Sequence, residues 1–168
     1  SDRYVYRNQM DYLAKPIEFI QSQGLIAGTA AHALQTPKRC LEYGIEPDFF
    51  MKTLHHDKYW SAHPEENRHE FIVEAPPSGI DHNQQHDNLW CVDAEETAAF
   101  FKNCKIPWIA YKILAAGAIK PEDGFKYAFA KGADFICVGM FDFQVIENAN
   151  IVRNTLDSDL NRAREWYG

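Results

Sequence analysis

Two lysines stand inside apolar runs of strand character: Lys52 in Asp48-Phe-Phe-Met-Lys-Thr-Leu54, and Lys112 in Pro107-Trp-Ile-Ala-Tyr-Lys-Ile-Leu114. Lysine is almost never fully buried without a partner or a task, because its charge resists leaving water. A neutral lysine amine condenses with a carbonyl to give a Schiff base, but an unperturbed lysine, with a pKa of about 10.4, is protonated at neutral pH. Burial and a neighbouring cation both favour the neutral form. The two-residue period of a strand groups Lys52 with Phe50 and Leu54, and Lys112 with Ala110 and Leu114. If both groups face one interior, the two amines are neighbours. The competing reading pairs each lysine with a carboxylate from a missing half of the fold as a structural ion pair.

Imidazoles and carboxylates form a second set. His32 ends one apolar run, His55-His56-Asp57 ends the next, and Asp142 follows the last. On convergent loops His32, His55, His56 and Asp142 are a candidate divalent-metal site, with metal-bound water as nucleophile. His55 and His56 are also candidate proton carriers. His63, Glu74, His69, His82, His86 and Asp87 add further ligand types, although the four-residue spacing of His82 and His86 suits a metal only on a helix, and Asn83-Gln-Gln does not favour one. A lone histidine is ordinarily a surface or hydrogen-bonding residue. The small residues Ala116-Gly117 suit a backbone anion pocket, or simply close passage of the chain. Tyr59, Trp60, Trp90 and Phe141 suit a stacking wall for a substrate or a lid, and loop packing is the plainer alternative.

The elements that must position these groups alternate. Helix is expected over 8–23, closed by Gly24 and with Pro16 inside it, then strand over 25–32. Helix over 36–43 follows, capped by Thr36 with Pro37 in its first turn, and then strand over 48–54. From Lys58 to Trp90 the periodicity fails, which marks a long irregular insertion or lid with a short strand near 70–73. Asp93 and Glu96 form a capping-box-like start to a helix ending near Lys102. Strand over 108–115, helix over 122–130, strand over 134–139 and helix over 146–156 complete the pattern, and the charged tail 157–168 is expected to be a surface helix.

Continuous apolar strands joined by helices imply a parallel α/β sheet. A complete eight-stranded βα barrel needs about 250 residues, and this chain has 168. About four βα units make it the C-terminal half of a (β/α)8 TIM barrel in a single domain. The alternatives are a half-barrel closed by dimerisation and an open flavodoxin-like sheet. The chain starts on a helix without its strand, which favours the first.

A net charge of −7 with no basic block argues against nucleic acid or an anionic membrane as partner, and no run is long and apolar enough to span a bilayer. The expected partners are a small-molecule substrate and either a second copy or the missing N-terminal half-barrel. Cys40, Cys91, Cys104 and Cys137 lack Cys-x-x-Cys spacing, so buried free thiols and a reducing compartment such as the cytoplasm are expected. No Walker loop, dinucleotide fingerprint or Gly-x-Ser-x-Gly elbow is present.

Leu114-Ala-Ala-Gly-Ala-Ile119, then Gly132-Ala-Asp134 and Cys137-Val-Gly139, resemble the last two units of phosphate-binding barrels. Pro47-Asp-Phe-Phe-Met-Lys-Thr53 with Tyr111-Lys-Ile-Leu-Ala-Ala-Gly-Ala-Ile119 resembles the paired strands of deoxyribose-phosphate aldolase and its class I aldolase relatives. That resemblance implies Lys52 as Schiff-base nucleophile and Lys112 as the cation that tunes it, with no cofactor required. It also implies an anion or substrate pocket at Ala116, Gly117, Gly139 and Met140, to which Trp60 of the insertion is added by residue type alone. Departures are the Ala116-Gly117 pair in place of two glycines, the aspartate of Gly139-Met-Phe-Asp142, which would repel a phosphate, and the insertion after Leu54. The expected activity is aldolase- or lyase-like chemistry on a small polar carbonyl or sugar-derived substrate. The rivals are a metal-dependent lyase, isomerase or hydrolase, and a non-catalytic carbohydrate-binding half-barrel.

Overall fold

A computed structural model describes residues 1–62, 64 and 91–167. Six helices and four strands are present among them: α1 Asp2–Tyr6, α2 Asp11–Ser22, β1 Gly28–Ala31, α3 Gln35–Glu42, β2 Phe49–Thr53, α4 Ala94–Lys102, β3 Trp108–Tyr111, α5 Pro121–Ala130, β4 Phe135–Cys137 and α6 Val145–Asp157. The strands pair in parallel in the order β1-β2-β3-β4. This sequential order has no reversal, unlike the flavodoxin-like alternative.

One face of the sheet is clad in helices. Phe50, Lys52, Trp108 and Ala110 share that face through the β2–β3 register and are buried. Phe101 of α4 stacks on Trp108 at 4.3 Å between centroids and meets Phe50 edge-on at 6.0 Å. Leu13 and Ile17 of α2, Cys40 of α3, and Phe125 and Ala128 of α5 join the same core. The opposite face carries Ala30, Met51, Ile109, Phe135 and Cys137, which are half-buried or exposed. On it the Phe49 ring lies across Gly28, its carbons 2.4 Å from where a Cβ would stand. Any side chain at Gly28 would displace that ring.

Two aspartates repeat one device at the lower ends of the strands. Asp48 donates its N–H to the Ala27 carbonyl while its carboxylate accepts the Ala27 N–H at 2.7 Å. Asp134 does the same with Trp108, accepting its N–H at 2.9 Å. Each aspartate opens a strand and fixes its register against the preceding one.

The tail departs from expectation. After Ser158 it is not helical but runs back beneath the sheet. Arg162 donates to the Phe129 and Ala133 carbonyls, and Arg164 to the Phe101 and Cys104 carbonyls at 2.7 and 2.6 Å. These carbonyls lie at the C-terminal ends of α5 and α4 and in the turns beyond them; Phe129 and Phe101 also accept the Gly132 and Cys104 N–H groups, and the arginines add a second donor. Arg164 also ion-pairs with buried Asp134. Gly132, at φ +101°, leaves room for the Arg164 stem.

Other expectations are corrected locally. The first strand is shorter than 25–32, and Leu25 and Ile26 before it are exposed. Cys137 is exposed, because β4 is an edge strand whose outer face is open, whereas Cys40, Cys91 and Cys104 are buried and outside any disulfide. Asp93 precedes α4 as its N-cap but makes no side-chain cap bond, because its carboxylate turns inward. The insertion's histidines at 63, 69, 82 and 86, with Glu74, Asp87, Trp90 and the short strand near 70–73, lie outside the described residues. No helix among the described residues is long and apolar enough to cross a membrane.

Candidate active site

β2 carries Lys52 to the helix-clad face, where the side chain is fully buried. Its Nζ donates to Asp93 Oδ1 at 3.0 Å, to Thr53 Oγ1 at 3.0 Å and to the Thr53 carbonyl at 3.1 Å. Three acceptors match the three protons of an ammonium, which leaves no lone pair for a carbonyl. Thr97 Oγ1 binds the same Asp93 oxygen at 3.2 Å, so Lys52 ties the end of β2 to the start of α4. The carboxylate of the ion-pair reading comes from within this chain.

Lys112 lies elsewhere. Strand parity would have set it beside Ala110, but β3 ends at Tyr111 and Lys112 takes φ +61°, a left-handed conformation that turns the chain out of the sheet. Lys112 is exposed, so the expectation of two buried neighbouring amines is corrected.

The turn that follows builds a pocket. Ala115, Ala116 and Gly117 also have positive φ, coiling the chain into a short 3₁₀ turn at the C-terminal end of β3. Beside it Val138, Gly139 and Met140 leave the end of β4. Between them lies a cavity of about 740 Å³, lined among others by Tyr111, Lys112, Ala116, Gly117, Lys120 and Gly139. Met140, Phe141 and Gln144 complete one wall. Four of the five anion-pocket residues expected from sequence therefore converge, together with Lys112. Trp60 does not: it is 91% exposed in the turn after β2 and lines no part of this cavity. Asp142 is also absent from the lining, and its carboxylate accepts the Phe143 N–H.

Tyr111, which sequence reasoning passed over, joins the cavity to a polar network. Its hydroxyl lies 3.3 Å from His32 Nδ1, and the His32 carbonyl accepts from Thr53 Oγ1 at 3.1 Å. Asp2 closes the chain by accepting the His32 N–H at 2.8 Å and the Thr36 hydroxyl at 2.7 Å. Burial pushes the Asp2 carboxyl up, but the hydrogen bonds from His32 and Thr36 outweigh it and hold it below the usual range. Burial first, and the Asp2 charge second, push the Tyr111 phenol up, so it stays protonated as a donor at neutral pH. Thr36 thus bonds Asp2 instead of capping α3.

His55 and His56 lie away from this cavity, on the helix side beyond β2. His55 is buried, its Nδ1 3.0 Å from the His56 carbonyl, and His56 Nδ1 accepts the Lys58 N–H at 3.1 Å. The four expected metal ligands are dispersed: His32 with Asp2 and Tyr111, His55 and His56 with their own chain segment, Asp142 with Phe143. Among the described residues no three histidine, cysteine, aspartate or glutamate side chains are grouped to hold a metal. The signal for Tyr111 was its place at a strand's C-terminal end; for Asp93 and Asp2 no local signal exists, since their partners are distant in sequence.

No protein family model, curated protein or solved structure matches the chain.

Proposed function

We propose that this chain is one half of a βα barrel that binds a small polar carbonyl or sugar-derived substrate between the ends of β3 and β4, with Lys112 as the amine facing it. The observation that carries this reading is the convergence of Lys112, Lys120, Tyr111 and the Ala116–Gly117 and Gly139–Met140 backbones on one cavity at the C-terminal ends of parallel strands, where βα folds hold their ligands. Two lysines at its wall favour an oxygen-rich, electron-rich ligand. In aldolase- or lyase-like chemistry the Lys112 nitrogen adds to the carbonyl carbon and water leaves, giving an imine; the Tyr111 hydroxyl donates a hydrogen bond to the carbonyl oxygen. Lys52, spent on Asp93 and Thr53, serves the fold. The barrel reading is supported by the sequential parallel order and by the uncovered apolar face of Met51, Ile109 and Phe135, which a second copy or another half of the same architecture would cover.

Borohydride reduction in the presence of glycolaldehyde tests the reading. A saturable adduct on Lys112 that is lost in Lys112→Met supports it, and an adduct on Lys52, or none at Lys112 beyond that on other exposed lysines, refutes it. Analytical ultracentrifugation reports whether two copies close the sheet.

A further inference from the structure

The cavity between the ends of β3 and β4 is chemically divided, with cations at one part of its wall and an apolar surface over the rest. We propose that its ligand is an apolar oxo acid. The carboxylate pairs with Lys120, and an aromatic or branched alkyl group lies against Leu114, Ile119, Val138, Met140 and Phe141. This ligand class rests on the reading of the cavity as the substrate site, and it narrows the carbonyl compound of that reading.

Charge selects an anion. The chain carries a net charge of −7, yet the described residues of this wall include two lysines and no carboxylate. Glu122 and Asp123 follow Pro121 along α5 without lining the cavity, and the Asp123 charge acts on His56. Asp142, beyond Phe141, accepts the Phe143 N–H. With Lys112 given to the carbonyl, Lys120, exposed at the start of α5, is the cation left for an anionic group.

The rest of the wall selects an apolar substituent. Beyond the lysines, the hydrogen-bonding side chains among its described residues are Tyr111, Cys137 and Gln144. The Tyr111 hydroxyl already faces His32 Nδ1, and Gln144 Oε1 accepts the Phe141 N–H at 3.0 Å. Several sugar hydroxyls would lose water here without enough side-chain partners to replace it. Ile119, by contrast, is buried, and the Phe141 ring is backed by Phe143, stacked at 5.5 Å between centroids and 7° from parallel. Such a surface suits an aryl or alkyl group. At about 740 Å³ the cavity also has far more room than a small carbonyl fragment fills.

Backbone amide shifts of ¹⁵N-labelled protein around Gly117 and Gly139 test this with hydrocinnamate, which has the carboxylate and the apolar group but no carbonyl. Its neutral twin hydrocinnamamide, acetate and xylose are the comparisons. Hydrocinnamate is expected to bind saturably, hydrocinnamamide about fivefold more weakly, and acetate and xylose without saturation over the same range. Lys120→Met should weaken hydrocinnamate about threefold and leave hydrocinnamamide unchanged, whereas Phe141→Ser should weaken both about fivefold. Equal binding of acid and amide, acetate or xylose binding as tightly as hydrocinnamate, or unchanged hydrocinnamate affinity in Lys120→Met overturns the proposal. Hydrocinnamate cannot form an imine, so the two readings fail separately. Its binding without any trapping at Lys112 supports the apolar-acid site and refutes the imine; glycolaldehyde trapping at Lys112 without hydrocinnamate binding overturns the ligand class alone.

Discussion

Replacing Lys52 by methionine keeps most of the buried stem and removes only the ammonium, so it separates a structural lysine from a nucleophile. The loss strips Asp93 Oδ1 of its ion pair and the Thr53 carbonyl and hydroxyl of a donor. Breaking a buried pair from one side costs about 3–5 kcal/mol. Asp93 is 20% exposed and keeps Thr97, and the Thr53 carbonyl keeps the Cys91 thiol, which argues for the lower end, about 3 kcal/mol. For a chain of this size that is a fall in Tm of roughly 6–12 °C. Urea titration followed by tryptophan fluorescence measures it, and Lys52→Met/Asp93→Asn should recover at least about 1 kcal/mol, because the orphaned charge is gone. A Lys52→Met protein as stable as wild type, or a double variant showing simple additivity, would refute the reasoning.

Two further outcomes follow from the same contacts. His55 has a folded-state pKa of about 4 against an ordinary 6.5, so the unfolded chain takes up its proton first as the pH falls. Its contribution is complete above about pH 6.5 and is lost progressively down to about pH 4, roughly 3 kcal/mol in all; urea titrations across that range should show a shallower decline in His55→Phe than in wild type. Arg164→Leu removes the side-chain donor of the Phe101 and Cys104 carbonyls and the nearest cation of Asp134, which keeps the Trp108 and Tyr167 N–H groups, so it should cost about 3 kcal/mol by the same titration, and Arg162→Leu, 3.6 Å from Asp134, distinctly less.

Much of the fold was legible because it is written in local pattern. Apolar runs gave the four strands, Pro121 and Gly132 bounded α5, and strand–helix alternation gave the parallel sheet. The pocket loops were legible for a related reason: Ala116-Gly117 and Gly139 are small residues just past strand ends. What escaped was set by contacts distant in sequence. Nothing near Lys52 reveals that Asp93, beyond a long insertion, would meet it. Parity grouped Lys52 with Phe50 on one face, as found, but it could not say which face the helices would clad. Parity failed at Lys112 because a single left-handed residue ended the strand. The tail read as helix from its charge, whereas its two arginines find their partners among carbonyls of α4, α5 and the turns after them.

The central claim is that Lys112, not Lys52, meets the substrate. Mass-spectrometric mapping of the borohydride-trapped glycolaldehyde adduct in wild-type, Lys52→Met and Lys112→Met proteins tests it directly. The account predicts a saturable adduct on Lys112 that persists in folded Lys52→Met and vanishes in Lys112→Met. An adduct on Lys52, or trapping that survives the loss of Lys112 unchanged, would contradict it.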